Sequence, residues 1–91
     1  MKPGDLVVPD PRAFLVYETI RPHINLTLWE ISESEIQERD ESLDMYDIMI
    51  DMWVKVNDPG LVLCVHENQI KVLLNGSIGW IRSSKFKVVG T

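Results

Sequence analysis

Cys64 and His66 stand two residues apart in Leu61-Val-Leu-Cys-Val-His66, a spacing that puts a thiol and an imidazole on the same side of an extended strand. Such a pair is the start of a thiolate nucleophile, but it needs a third group to orient the imidazole, and none is apparent. By the same alternation Val62 shares that side, so the expectation is a buried or half-buried structural cysteine. Asp40, Asp44, Asp47 and Asp51 would cluster on a helix. They lack the glycine and the twelve-residue frame of a calcium loop, which leaves a solvated acidic face. His23 and His66 are far apart with no Cys-x-x-Cys nearby, so zinc is not expected. Gly76 and Gly79 read as hairpin glycines, not as a phosphate loop. The chemistry-bearing residues therefore predict no catalytic site, no metal and no cofactor, and the chain is not expected to be an enzyme.

Aromatic and charged residues say more. Asp47 to Val56 alternates, with Ile48, Ile50, Met52, Val54 and Val56 on one side and Met49, Asp51, Trp53 and Lys55 on the other. Period-two alternation signals a strand with one face inward, and it turns Trp53 outward. Trp29 reads the same way, whereas Trp80 is expected in the core. Exposed tryptophan and methionine beside acidic residues suit a protein interface with an aromatic centre and a polar rim. The candidate interface is Trp29, Trp53 and Met49, rimmed by Glu38 and Asp44.

Net charge is −5 over 91 residues, and it is unevenly distributed. Glu30, Glu33, Glu35, Glu38, Asp40, Glu41, Asp44, Asp47 and Asp51 are opposed only by Arg39, while Lys71, Arg82, Lys85 and Lys87 face no acid after Gln69. An acidic limb suits a basic protein partner and repels a nucleic-acid backbone. The four late bases are the candidate contacts if nucleic acid is the partner after all. No apolar run approaches the roughly 18 residues of a membrane span. Met1-Lys2-Pro3-Gly4-Asp5 has no apolar stretch of a signal peptide, and the single cysteine allows no intrachain disulfide.

The elements that position these residues are short. Pro3-Gly4-Asp5 launches Leu6-Val7-Val8, which Pro9 and Pro11 stop. Ala13 to Ile20 reads as a second strand or an irregular extended arm. Leu26 to Ile31 is extended, with large apolar residues on both faces. Ser32 and Glu35 resemble a capping box, and Ser32 to Asp44 stays open between a turn or two of helix and a long loop. Asn57-Asp58-Pro59-Gly60 is a turn. Gly60 to His66 and Gln69 to Leu74 are strands, and Asn75-Gly76 favours a type I′ hairpin. Trp80-Ile81-Arg82 is a short strand, Ser83-Ser84-Lys85 fits one 3₁₀ turn, and Phe86 to Val89 closes the chain. Short strands separated by turn signals point to a barrel of about five or six strands.

The ordered set Gly79-Trp80-Ile81, a short turn and Phe86-Lys87-Val88-Val89 resembles the C-terminal half of an SH3-like barrel. Ser83-Ser84-Lys85-Phe86 stands where SH3 domains carry Pro-Ser-Asn-Tyr, and the Ala-Leu-Tyr-Asp-Tyr stretch is absent. The resemblance therefore implies the barrel and not proline-rich peptide binding. Lys2-Pro3-Gly4-Asp5-Leu6-Val7 with Trp80-Ile81 is also similar to retroviral integrase C-terminal domains, which are basic where this chain is acidic. Gly4-Asp5-Leu6-Val7 together with Gly60-Leu61-Val62-Leu63, Lys71-Val72-Leu73 and Gly79-Trp80-Ile81 is similar to small uncharacterised proteins of tailed bacteriophages, marine and cyanobacterial ones above all.

The resulting expectation is a mainly β fold over residues 1–91. It is a single SH3-like small barrel with a long acidic insertion in the middle, an insertion or extended arm at about 24–56. The resemblance implies a non-enzymatic protein-interaction barrel, a minor virion structural or assembly protein that decorates a capsid, sits at a neck or completes a head. Its partners would be virion components or further copies of itself, without a membrane, in a virion or the host cytoplasm. The alternatives are a nucleic-acid- or transcription-associated barrel and an acidic host-directed inhibitor.

Overall fold

A computed structural model describes residues 1–38 and 48–89, and proline and glycine punctuation divides them into eight strands. The turn at Gly4 (φ +94°) leads into β1 (Leu6–Pro9). Asp10 then caps a 3₁₀ turn, Pro11–Ala13, by accepting the Arg12 N–H. A second 3₁₀ turn, Val16–Glu18, precedes β2 (Thr19–Ile20) and β3 (His23–Trp29). The stretch expected to be a strand or arm is thus two tight turns and a two-residue strand. After β3 come α1 (Glu33–Glu38), β4 (Met49–Lys55), β5 (Gly60–His66), β6 (Gln69–Leu74) and β7 (Ser77–Arg82). A 3₁₀ turn at Ser83–Lys85 hands the chain to β8 (Phe86–Val88).

Eight strands stand where about five or six were expected, two of them, β2 and β8, only two and three residues long. They form one antiparallel sheet in the order β2-β3-β7-β6-β5-β1-β8, with β4 on the far edge of β3. The fold is mainly β, and the sheet curls into a half-barrel. Asn75 (φ 49°) and Gly76 (φ +80°) take the two positive-φ positions of a type I′ turn between β6 and β7.

Of the Ser32 to Asp44 stretch left open by sequence, Glu33–Glu38 is helix, and residues 39–44 lie outside the described residues. Ser32 Oγ accepts the Glu35 N–H at 3.4 Å, and the Ser32 carbonyl accepts the Ile36 N–H at 3.0 Å. The Glu33 N–H, one of the orphan donors of a helix start, goes to Gln69 Oε1 at 2.8 Å. Gln69 is buried on β6, so the helix is tied to the sheet from its first residue. Among the described residues no helix is long and apolar enough to cross a membrane.

The core draws on almost every strand: Val7, Ile24, Leu26, Leu28, Val54, Val62, Ile70, Val72, Leu74, Ile81 and Phe86. Strand β3, ambiguous by sequence, turns Ile24, Leu26 and Leu28 inward and Asn25, Thr27 and Trp29 outward. Each buried Leu or Ile contributes roughly 1.5–3 kcal/mol, so β3 and β4, towards the two ends of the stretch expected as an insertion or arm, belong to the core. They supply a wall of it. Contact between that wall and β7 depends on Gly79, where a Cβ would lie 2.7 Å from Leu28 Cβ and 3.0 Å from the Trp29 carbonyl oxygen.

Candidate interaction surface

Strand pairing sets the outer face row by row, since paired residues in a sheet point to the same side. On β3 and β4 the rows are His23 with Lys55, Asn25 with Trp53, Thr27 with Asp51, and Trp29 with Met49. The Asp51 carboxylate accepts from Asn25 Nδ2 at 3.2 Å and Thr27 Oγ1 at 3.4 Å, which fixes the polar middle of this face. Trp53 is 48% exposed above it. Trp29 is half-buried and meets Trp80 of β7 on its other side.

Trp80 is half-buried on the outer face, not in the core as expected. Gly79 and Ile81 are the inward residues of β7, and strict alternation sends Trp80 the other way. The interface residue Glu38 is the last residue of α1. Asp44 lies outside the described residues, as do Asp40 and Asp47.

Cys64 corrects the reading of a buried thiol: it is exposed. A bulge between Val62 and Cys64 inserts one residue into β5, so Val62 faces the core while Cys64, paired with Lys71, faces out. A bulge changes the side-chain parity downstream of it, and alternation counted through it gives the wrong face. Cys64 and His66 line a shallow cleft of about 300 Å³ with Ser32, Ser34, Glu35 and Trp80. Among the described residues no three His, Cys, Asp or Glu side chains gather to hold a metal ion.

The four late bases are only partly brought together. Lys71 pairs with Trp80, and Arg82 sits diagonally across from it on β7. Arg82 Nε donates to Glu33 Oε1 at 2.8 Å, and this hydrogen-bonded acid raises the guanidinium pKa further. Lys85 Nζ donates to the Ala13 carbonyl at 2.8 Å and lies 4.9 Å from the centre of the Phe14 ring. Arg82 and Lys85 share a cleft of about 240 Å³ where β3 and β7 diverge, together with Phe14, Trp29, Glu18 and Glu33. Lys87 is elsewhere, on β8 opposite Val8.

The most exposed apolar residues were not singled out by sequence. Leu15, Val16, Tyr17 and Ile20 are all exposed, Val16 at 90% and Tyr17 at 78%. Glu18 Oε2 accepts the Leu15 N–H at 2.9 Å, and the Leu15 carbonyl accepts the Glu18 N–H at 2.9 Å. These two hydrogen bonds close a turn that presents the side chains between them. A signal was present: five consecutive apolar residues, Ala13-Phe14-Leu15-Val16-Tyr17, lie between Pro11 and Pro22. Across the sheet, Leu73 and Ile78 form a second exposed apolar pair on β6 and β7. Compared with known proteins, the chain matches no family model, no curated protein and no solved structure.

Proposed function

We propose that this chain is a non-enzymatic protein-interaction barrel, in which β1 and β5 to β8 make an SH3-like frame. Support for the frame comes from the β5-β6-β7 meander, the 3₁₀ turn at Ser83–Lys85, and β1 lying between β5 and β8. The single observation that carries the functional reading is the apolar turn at Leu15–Ile20, with Val16 90% and Tyr17 78% exposed. Large apolar side chains held out by a hydrogen-bonded turn are poorly placed for water and well placed to anchor in a partner's pocket. The phage resemblance puts that partner in a virion, as a neighbouring capsid or neck protein.

The test is site-specific photo-crosslinking in the native setting. A photoreactive amino acid in place of Tyr17 is expected to give a discrete protein adduct, and one in place of Ser84 is expected to give none. Adducts only to nucleic acid, or none from Tyr17, would remove the reading.

A further inference from the structure

β4 is paired along its whole length with β3, and no described strand lies on its other edge. Which backbone groups face that open edge follows from the ladder. The Glu30 N–H donates to the Ile48 carbonyl and the Val56 N–H to the Pro22 carbonyl, at 2.9 and 3.0 Å. Hydrogen-bonded pairs alternate along an antiparallel ladder, so Ile48, Ile50, Met52, Val54 and Val56 bond to β3. Met49, Asp51, Trp53 and Lys55 turn their N–H and C=O groups outward. At Lys55 both are already used, since its N–H donates to Asp58 Oδ2 at 2.9 Å and its carbonyl accepts the Asp58 N–H at 3.0 Å. Met49, Asp51 and Trp53 therefore present the edge groups, with no proline or bulge in the strand to blunt it.

We propose that two copies of the chain associate as a two-fold dimer by pairing β4 with β4 antiparallel, Met52 lying on the axis. The proposal rests on the protein-contact reading above and names a second copy as one partner. Residue chemistry selects both the occupant and the register. Centring on Asp51 would set the two Asp51 carboxylates against each other. Centring on Trp53 would require the Lys55 backbone groups that Asp58 already occupies. Centring on Met52 sets Asp51 opposite Trp53 of the second copy, and both residues have outward-facing N–H and C=O groups. Asp51 then has both Lys55 and Asp51 of the second copy as diagonal neighbours, close enough to the Lys55 ammonium for an ion pair and no longer directly opposite the other Asp51. On the inner face Ile50 meets Val54 and Met52 meets Met52. The half-buried Ile50 and Met52 would be covered, and two curled sheets would become one. Of these three registers, the one centred on Met52 alone is self-complementary in backbone, charge and apolar row.

Light scattering on size-exclusion fractions of the whole chain, over a concentration series, reads the association. The expected result is a reversible dimer. Trp53→Pro removes an N–H that β3 does not use, and is expected to weaken the dimer about tenfold or more through two lost hydrogen bonds. A Cys64→Ser, Met52→Cys variant tests register independently of that substitution. Two thiols facing each other in a non-hydrogen-bonded antiparallel pair suit disulfide geometry, so mild oxidation should give a covalent dimer. A monomer at every concentration overturns the dimer while leaving the Tyr17 crosslinking result to stand or fall by itself. A dimer that neither responds to a folded Trp53→Pro variant nor crosslinks through Met52→Cys also overturns it, because another surface would then be responsible.

Discussion

Gly79 does in this fold what its position in the sequence conceals. It follows Asn75-Gly76-Ser77-Ile78 closely enough to read as part of the hairpin, but of the two glycines only Gly76 has the positive φ that the turn requires. Gly79 lies inside β7 at an ordinary strand position, buried, and its missing side chain is the space that Leu28 and the Trp29 backbone occupy. Gly79→Ala is expected to destabilise the fold by about 1–3 kcal/mol, the usual range for overpacking, measured as a shift in the urea midpoint at constant slope. Backbone atoms at 3.0 Å cannot swing aside as a flexible side chain would, so the upper half of that range is the better expectation. Other single residues were easier to read. The outward face of Trp53 follows from alternation along Ile48 to Val56. Cys64 was misread because the bulge that turns it outward has no marker among Gly60 to His66 other than Gly60 itself.

Elements join one another through a few side chains, and Asp58 is the clearest case. It caps the end of β4 through the Lys55 N–H and also accepts Asn75 Nδ2 at 3.2 Å from the β6–β7 turn. One carboxylate thus ties the β4–β5 turn to the neighbouring hairpin. The bond from the Lys55 N–H is the main reason its pKa is lowered, with Asn75 and the charges of Lys55 and His23 adding to the effect against some desolvation. A carboxyl whose folded pKa is depressed gives stability that is present above its unfolded pKa and lost as pH falls through the folded one. Stability should therefore fall on acidification below about pH 4, the unfolded range of an Asp side chain. Asp58→Asn should make that fall shallower in a comparison of urea midpoints. At neutral pH the same variant should cost about 1 kcal/mol, a figure that solvent screening holds down. The turn itself was legible in Asn57-Asp58-Pro59-Gly60, as was the Ser32 cap of α1. The reach from Asp58 to Asn75 was not, because it spans a strand hairpin and depends on register. Strand β3 hid its faces for a similar reason: Trp29 and Ile31 lie on one parity and Leu26 and Leu28 on the other, so only its neighbours decide which is inside.

In the whole molecule, β3 and β4 cross the line between a barrel and an insertion at about 24–56. The sequence suggested that division because acidic residues crowd the middle of the chain, and charge density looks like a solvated limb. Yet Ile24, Leu26, Leu28 and Val54 from that region pack in one cluster with Val62, Val72 and Ile81 from the C-terminal hairpins. A shared core makes the two halves unfold together, since neither buries its apolar face alone. The tryptophans can report this separately: Trp29 and Trp53 sit on β3 and β4, and Trp80 on β7. A Trp80→Phe variant watches the first half, and a Trp29→Phe, Trp53→Phe variant watches the second. In each, the fluorescence transition in urea is expected to coincide with the far-ultraviolet circular dichroism transition. Leu28→Ala, which empties fully buried space at the junction, should shift both transitions equally, by about 3 kcal/mol. If residues 24–56 were a separate arm, the Trp80 signal would keep its original midpoint in that variant while the β3–β4 signal moved. Coincident transitions would mean that a partner gripping the outer face of β3 and β4 stabilises the whole barrel, because binding energy at one wall is then linked to the folding of all of it.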